Sequence, residues 1–312
     1  MRILKTVNLK GLGKKHSGKV RDFYIYKNQR ILITTDRISA FDVNLGYIPY
    51  KGQVLNELAA FWFKQTEEII DNHILSVPDP NVTVAKNAKP LPIEMVVRGY
   101  ITGVTNTSIW GSYEKGERTI YGLKFPEGLK KNQKLPSPVL TPTTKAEVGH
   151  DERLTREEII KKKIVPKNIY LQMEKASLAL FAKGTKIADR KGLILVDTKY
   201  EFGLDDKGKL MLIDEIHTPD SSRFWKKSSY KEKFKNGKEP ESFDKEFLRI
   251  WYAKKGYKGD GKPPKMTAAL QKKVSKLYLD VYENITGKKI VLLDSPIETR
   301  IKKNLLNLFT VK

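Results

Sequence analysis

Residues Ile194–Arg223, ILVDTKYEFGLDDKGKLMLIDEIHTPDSSR, read as two short strands around a turn, followed by a polar loop. Leu193 to Val196 is apolar, and Lys209 to Ile216 is mostly apolar again. Between them Asp205-Asp206-Lys207-Gly208 is turn chemistry. A turn closed there sets Leu204 opposite Lys209, Lys199 opposite Asp214 and Glu201 opposite Leu212. Strand side chains alternate faces with a period of two, so Asp197, Lys199, Glu201 and Asp214 are expected on one face. Three carboxylates and one ammonium are too much charge for an ordinary core. They suit a divalent cation carrying phosphates, because Mg2+ takes one or two carboxylates plus phosphate oxygens. The alternative is a solvated sheet face with a surface ion pair.

The rest of the composition narrows the class. The chain has 312 residues, 39% hydrophobic and 10% aromatic, enough for one large or two ordinary domains around a sizeable core. No apolar run is long enough to span a bilayer, and MRILKTVNLKG lacks an apolar signal core, so a cytoplasmic protein is expected. Absence of Cys excludes disulfides, thiolate catalysis and Cys-type zinc sites. His16, His73, His150 and His217 are scattered, without metal-ligand spacing. The net charge of +23 favours polyanions, either nucleic acid or phosphorylated metabolites. Lysine is spread along the whole chain with no nucleic-acid-binding signature, so a solvated basic surface is the plainer reading.

Taken in order, Lys10 to Asp22, KGLGKKHSGKVRD, combines Gly11, Gly13 and Gly18 with Lys14, Lys15, Lys19 and Arg21. Glycines let backbone N–H groups approach phosphate. The spacing from Gly13 to Lys19 matches a P-loop, but Val20 stands where Ser or Thr would hold Mg2+, and Val20 to Tyr26 alternates like a strand. A glycine-rich hairpin folded over a nucleotide fits better, with a basic surface hairpin as its alternative. Arg30 to Thr35 is a further β-rich run. Asp36, Arg37, Ser39 and Asp42 follow it as a polar cluster, suited to a functional loop or to turn formation and capping. A helix is expected from Lys51 through Ile70, with Leu55, Leu58, Ala59, Trp62 and Phe63 facing the core. Thr83 to Arg98 reads as an extended crossover between two lobes. Arg98, at the end of the apolar run beside Gly99 and Gly103, could grip a phosphate or carboxylate. Thr105, Thr107 and Ser108 add hydroxyls, and the loop Thr141 to Glu152 holds Lys145 and His150. Thr155 and Glu158 have capping-box spacing. Ile169, Met173, Ala176 and Leu180 mark a helix ending near Gly192. Asp220-Ser221-Ser222-Arg223 offers a phosphate cradle or an ordinary polar turn. Beyond Trp225 a polar surface excursion or lid is expected through Lys265. Then come a helix on Leu270, Val274, Leu277, Val281 and Ile285 capped by Gly287, a β-like Ile290 to Leu293 and a final helix.

Six of these motifs, in order, resemble the SAICAR synthetase (phosphoribosylaminoimidazole-succinocarboxamide synthase) family: Gly18-Lys19-Val20-Arg21-Asp22, Thr35 to Asp42, Val97 to Gly103, Thr143-Thr144-Lys145-Ala146-Glu147, Asp197 to Gly203 and Asp214 to Trp225. The resemblance runs from about residue 14 to residue 287. It implies an α+β fold of two lobes, similar in outline to kinases. ATP would lie between a smaller β-rich N-terminal lobe (1–95) and a larger α+β C-terminal lobe (96–312). It also implies an ATP-dependent ligase joining L-aspartate to the carboxylate of a carboxyaminoimidazole ribonucleotide in purine biosynthesis, through an acyl phosphate. On that pattern Asp197 and Lys199 face the reacting groups, and Glu201 and Asp214 hold Mg2+. Lys14, Gly18, Lys19, Arg21 and Lys145 serve the nucleotide. Arg98, Ser108, Lys145, Asp197, Asp220, Ser221, Ser222 and Arg223 serve the substrates. Relatives continue Arg-Gly-Tyr-Ile-Thr-Gly directly with Ser-Ala-Trp, whereas Val104 to Ile109 intervene here before Trp110, so the serine's role passes to Ser108. The partners implied are small molecules, not nucleic acid or membrane, in a monomer or small homo-oligomer. A kinase-like phosphotransferase shares the glycine-rich loop and the hairpin but leaves Thr144-Lys145 and Ser222-Arg223 without a use.

Overall fold

The computed structural model describes residues 2–41, 43–103, 107–145, 151–257, 259, 261–293 and 295–309. Asp42, Thr105, Ala146, Glu147 and His150 lie outside them. The first sheet opens with a hairpin of β1 (Lys15–Ser17) and β2 (Arg21–Tyr26), followed by β3 (Gln29–Thr34). β4 (Arg37–Ala40) and β5 (Val43–Tyr47) form a separate ribbon before helix α1 (Lys51–Gln65). β6 (Ile74–Asp79) and β7 (Val82–Lys86) then complete a five-stranded antiparallel sheet in the order β1-β2-β3-β7-β6.

Helix α1 is seated by residues the sequence places just before it. Asp36 accepts the amide of Gly52 at 2.8 Å, a carboxylate at the positive end of the helix, and the amide of Leu4 at 2.7 Å. The polar cluster after β3 therefore contains a structural cap. Gly52 cannot carry a side chain, since a Cβ there would stand 2.3 Å from the carbonyl oxygen of Thr34. Leu55, Leu58 and Trp62 are fully buried. The helix stops at Gln65 rather than Ile70, where Thr66 leaves the helical region and its amide turns to the Phe63 carbonyl at 3.3 Å.

The second sheet carries the site. β8 (Lys89–Ile101) leads to α2 (Ile109–Tyr113), the small pair β9 (Thr119–Ile120) and β10 (Leu123–Lys124), β11 (Gln133–Leu140) and β12 (Thr143–Thr144). Helices α3 (Arg156–Lys161) and α4 (Lys167–Arg190) precede β13 (Leu193–Leu204), β14 (Leu210–Ile213) and β15 (Ser222–Lys226). The order is β11-β8-β13-β14, with β12 also on β8 and β15 also on β13. The α3 capping box forms as its spacing predicts. Tyr170, Met173, Ala176 and Leu180 of α4 pack on one face of this sheet with Met95, Val97, Tyr200 and Phe202. Each large side chain buried there contributes about 1.5–3 kcal/mol. With one face closed by core, the other is left for charge.

Two expectations for the C-terminal third are corrected. The chain from Trp225 to Lys265 is not simply a surface excursion. It holds α5 (Lys227–Lys235) and α6 (Glu246–Lys254). Leu248, Tyr252, Tyr257 and Met266 enter a second core with Ile38, Val54 and Leu55, where α7 (Ala268–Thr286) brings Val274 and Tyr278. Gly287 ends α7 in the left-handed region, φ 72°, as expected. Ile290 to Leu293 is not a strand, and Val291 is 68% exposed. Helix α8 (Ile297–Phe309) places Ile301 and Leu305 against Leu4, Val7 and Leu9 under the first sheet, anchored by Arg300 donating to Asp79 at 2.8 Å. No described helix is long and apolar enough to cross a membrane.

The register of the central hairpin also differs from expectation. Leu204 pairs with Leu210 and Glu201 with Ile213, one residue away from Leu204 opposite Lys209 and Glu201 opposite Leu212. The turn takes five residues. Asp205 accepts the amides of Lys207 and Lys209 at 2.9 and 2.7 Å, and Gly208 adopts φ 76°. A one-residue slip moves side chains to the other face. The ladder would then put Asp214 on the side of Tyr200. Asp214 escapes because β14 ends at Ile213 and Asp214 itself takes φ 67°, which re-aims its carboxylate.

Candidate active site

The charged face is built by two neighbouring strands. Asp197 pairs with Arg98, Lys199 with Val96 and Glu201 with Glu94 across β13 and β8. Two glutamates facing each other across a ladder repel unless a cation lies between them. Lys199 is that cation: Nζ stands 2.5 Å from Glu94 Oε1 and 2.6 Å from Glu201 Oε1. Lys145, just beyond β12, reaches the other oxygen of Glu201. Burial opposes ionisation of Glu201, but Lys199 and Lys145 outweigh it and hold the carboxyl well below its usual range. Glu94, where burial and the charge of Glu201 outweigh Lys199, is pushed up to about 7. Burial also works against the Lys199 ammonium, yet Glu201 and Glu94 raise it well above the usual lysine value.

Arg21 joins this face to the glycine-rich hairpin. Its guanidinium pairs with Asp214 and, at 3.1 Å, with Glu215. The hairpin turn is closed by the Gly18 amide on the Arg21 carbonyl at 2.7 Å, leaving Lys14, Gly18 and Lys19 exposed along it. Burial, together with the charges of Glu201 and Glu215, lifts Asp214 to about 6 against the pull of Arg21. Glu201 and Asp214 are therefore hard oxygen donors that sense each other's charge. Among the described residues no group of three His, Asp or Glu side chains is arranged as a complete metal cage. A nucleotide-borne Mg2+ does not need one, since phosphate oxygens supply the remaining ligands. The donor set fits that ion.

Asp197 anchors the opposite end. Arg223 donates to it at 2.5 Å and Arg98 lies at 3.6 Å. Arg98 is held from behind by Thr141 Oγ1 at 2.8 Å and the Thr107 carbonyl at 3.0 Å. Ser108 caps α2, accepting the Gly111 amide at 3.1 Å. Gly103 lets Ser108 and Arg223 approach, since a Cβ there would lie 2.8 Å from Ser108 Cβ and 3.3 Å from an Arg223 nitrogen. Ser222 donates to Thr198 at 2.7 Å, and the Ser221 carbonyl accepts the Lys199 amide at 3.0 Å. Arg98, Ser108, Asp197, Ser222 and Arg223 thus come together, as do Lys145, Lys199, Glu201, Asp214 and Arg21. Asp220 stands apart: its side chain is 2% exposed and is enclosed by Lys51, Lys245 and Tyr278.

Sequence reading missed Glu94, Glu215, Thr141 and Lys51. Glu94 carried a signal, because an acid inside the apolar run Ile93 to Val97 demands a buried cation. Lys51 offered none, since a lysine opening a helix is ordinary.

A family model described as SAICAR synthetase matches residues 14–266. The chain is 49% identical over 310 residues to a putative phosphoribosylaminoimidazole-succinocarboxamide synthase 2 of Agrobacterium fabrum, covering 98% of each. It is 50% identical over 297 residues to the phosphoribosylaminoimidazole-succinocarboxamide synthase of Legionella pneumophila strain Paris, covering 94% of this chain and 95% of that one. Its fold superposes with a TM-score of 0.78, at 34% identity, on a SAICAR-synthase from Saccharomyces cerevisiae complexed with SAICAR, covering 93% of this chain and 100% of that one.

Proposed function

The chain belongs to the SAICAR synthetase family, and on that premise we propose that the face built by β8 and β13 is its ligase centre. The reaction joins L-aspartate to the carboxylate of 5-amino-1-(5-phospho-D-ribosyl)imidazole-4-carboxylate, consuming ATP and releasing ADP and phosphate. A carboxylate is a poor acyl donor, so its oxygen first attacks the γ-phosphorus of ATP and ADP leaves. The aspartate amine then attacks the acyl carbon, the C–N bond forms, phosphate departs with the carboxylate oxygen, and the amine gives up a proton. Catalysis of such steps is mostly positioning and charge stabilisation.

The observation that carries the assignment of roles is the alternation along this face: Asp197, Lys199 and Glu201 opposite Arg98 and Glu94, with Lys145, Arg21 and Asp214 at one end and Arg223 at the other. Lys14, Gly18, Lys19, Arg21 and Lys145 would bind and orient the ATP phosphates. Glu201 and Asp214 would hold Mg2+, which screens phosphate charge when bound. Arg98, Ser108, Ser221, Ser222 and Arg223 would grip the ribonucleotide, and Asp197 and Lys199 would face the reacting groups. The lobes 1–95 and 96–312, joined through β8 and with α8 packed back under the first sheet, would close on ATP, in a cytoplasmic enzyme acting on small molecules.

Release of ADP measured with each substrate omitted in turn tests this function. ADP should accumulate over many turnovers, with an equal amount of succinocarboxamide product, only when ribonucleotide, aspartate and ATP are all present. Many turnovers to a stable phosphorylated product without aspartate would establish the phosphotransferase instead.

A further inference from the structure

Asp220 and its partners form a buried cluster outside the charged face, drawn from three separate elements. Lys51, the first residue of α1, brings Nζ to 2.9 Å from Asp220 Oδ2. Lys245, immediately before α6, stands 3.3 Å from the same oxygen. Tyr278, in the middle of α7, donates its hydroxyl to Oδ1 at 2.6 Å. The side chains of Lys51 and Asp220 are 0% and 2% exposed, and Tyr278 is 1% exposed, so this carboxylate is closed off from solvent. Burial opposes its charge, but Lys245, Lys51 and Tyr278 prevail and hold it well below the ordinary carboxylate range.

The peptide carrying Asp220 needs such a hold. Asp214 and His217, at its start, both sit at positive φ, 67° and 48°, which costs a non-glycine residue about 1–3 kcal/mol each unless the surroundings impose it. Thr218 ties the turn internally. Its carbonyl accepts the Ser222 amide at 2.9 Å, and its hydroxyl donates to Glu215 at 2.7 Å. His217 packs its ring on Trp62 of α1, and within the turn itself Asp220 is the side chain that reaches Lys51, Lys245 and Tyr278, with Ser221, Ser222 and Arg223 following directly. Tyr278 lies beyond residues 14–266, outside the span that the family model matches.

We propose that Tyr278, acting through Asp220 with Lys51 and Lys245, is a positioning residue that makes α7 fix the Ser221–Arg223 turn for the anionic ribonucleotide. The inference rests on the ligase reading above. It assigns Asp220 to holding the turn from beneath, not to touching substrate.

The test is the kinetics of Tyr278→Phe, which deletes one oxygen and keeps the ring. Its KM for the ribonucleotide should rise about fivefold, equivalent to about 1 kcal/mol for one hydrogen bond. The KM for ATP and kcat at saturation should stay within about twofold, since the phosphate-binding hairpin is tied through Arg21 to Asp214 and Glu215 rather than through an ion pair to Asp220. Ser275→Ala is the control: it deletes a buried hydroxyl on the same helix that donates to the Pro49 carbonyl at 2.8 Å, away from the turn. It should lower the melting temperature comparably and leave that KM unchanged. Lys245→Met should reproduce the Tyr278→Phe split, and Lys245→Arg should restore it. An unchanged ribonucleotide KM in both Tyr278→Phe and Lys245→Met, or an equal rise in Ser275→Ala, would overturn the proposal. Wild-type protein without aspartate-dependent turnover would instead overturn the ligase reading.

Discussion

Replacing Glu201 by Gln should abolish most turnover while leaving the protein folded. Glu201 sits between two ammonium groups, Lys199 at 2.6 Å on one oxygen and Lys145 on the other. Gln keeps the volume but has no charge and only one accepting oxygen. The variant therefore loses two charge-assisted contacts and one proposed Mg2+ donor, all near the phosphate charge that develops during transfer. Losing about 3–5 kcal/mol of transition-state stabilisation lowers kcat about a hundred- to a few-thousand-fold. Folding suffers less. Breaking a buried ion pair costs about 3–5 kcal/mol when a charge is stranded, but here Lys199 keeps Glu94 at 2.5 Å and the Lys145 side chain is 36% exposed. The stability loss should stay below about 2 kcal/mol, a shift of a few degrees in melting temperature for a chain of this size. Coupled ADP release and thermal unfolding on the same preparation measure both. A Glu201→Gln protein that melts normally and retains kcat within about threefold of wild type would refute the role of this carboxylate.

Other outcomes follow from the same structure. Burial raises Asp36 to about 6 against the pull of the Gly52 and Leu4 amides, so the folded state binds a proton that the unfolded chain releases near its ordinary value of about 4. Stability from this group is therefore present at low pH and lost as pH rises through about 6. Wild type should gain about 1 kcal/mol relative to Asp36→Asn between pH 8 and pH 5, read by denaturant titration, and a parallel pH dependence in both would contradict this. Gly184→Ala should destabilise the protein although alanine favours helix by about 1 kcal/mol, because its Cβ would lie 2.3 Å from the buried ring of His217. Unchanged or higher thermal stability would show that the ring has room to yield.

Much of this site is legible in sequence because strand alternation is a strong constraint. Asp197, Lys199 and Glu201 must share a face once β13 is a strand, and the apolar intervening residues fix which face is core. The pairing was harder, because Asp205 folds its own turn and takes one residue more than the hairpin spacing suggests. Asp214 reaches the expected place by a different route, a left-handed backbone that no side-chain pattern announces. Glu94 stands out as an acid inside an apolar run, but its meaning depends on Glu201 lying directly across the ladder. Asp36, part of a motif that reads as functional, turns out to cap α1. Asp220 likewise faces helices whose approach is decided only by tertiary packing. The tail at Ile290 to Leu293 shows the converse: β-rich composition without a partner strand stays irregular.

The most direct measurement is diffraction from crystals holding a non-hydrolysable ATP analogue, the carboxylated ribonucleotide and Mn2+ in place of Mg2+. An anomalous peak bonded to Glu201, Asp214 and the analogue's phosphates is expected, with the ribonucleotide against Ser222 and Arg223. A metal bound elsewhere, with Glu201 still closed on its two lysines and Asp214 on Arg21, would contradict it.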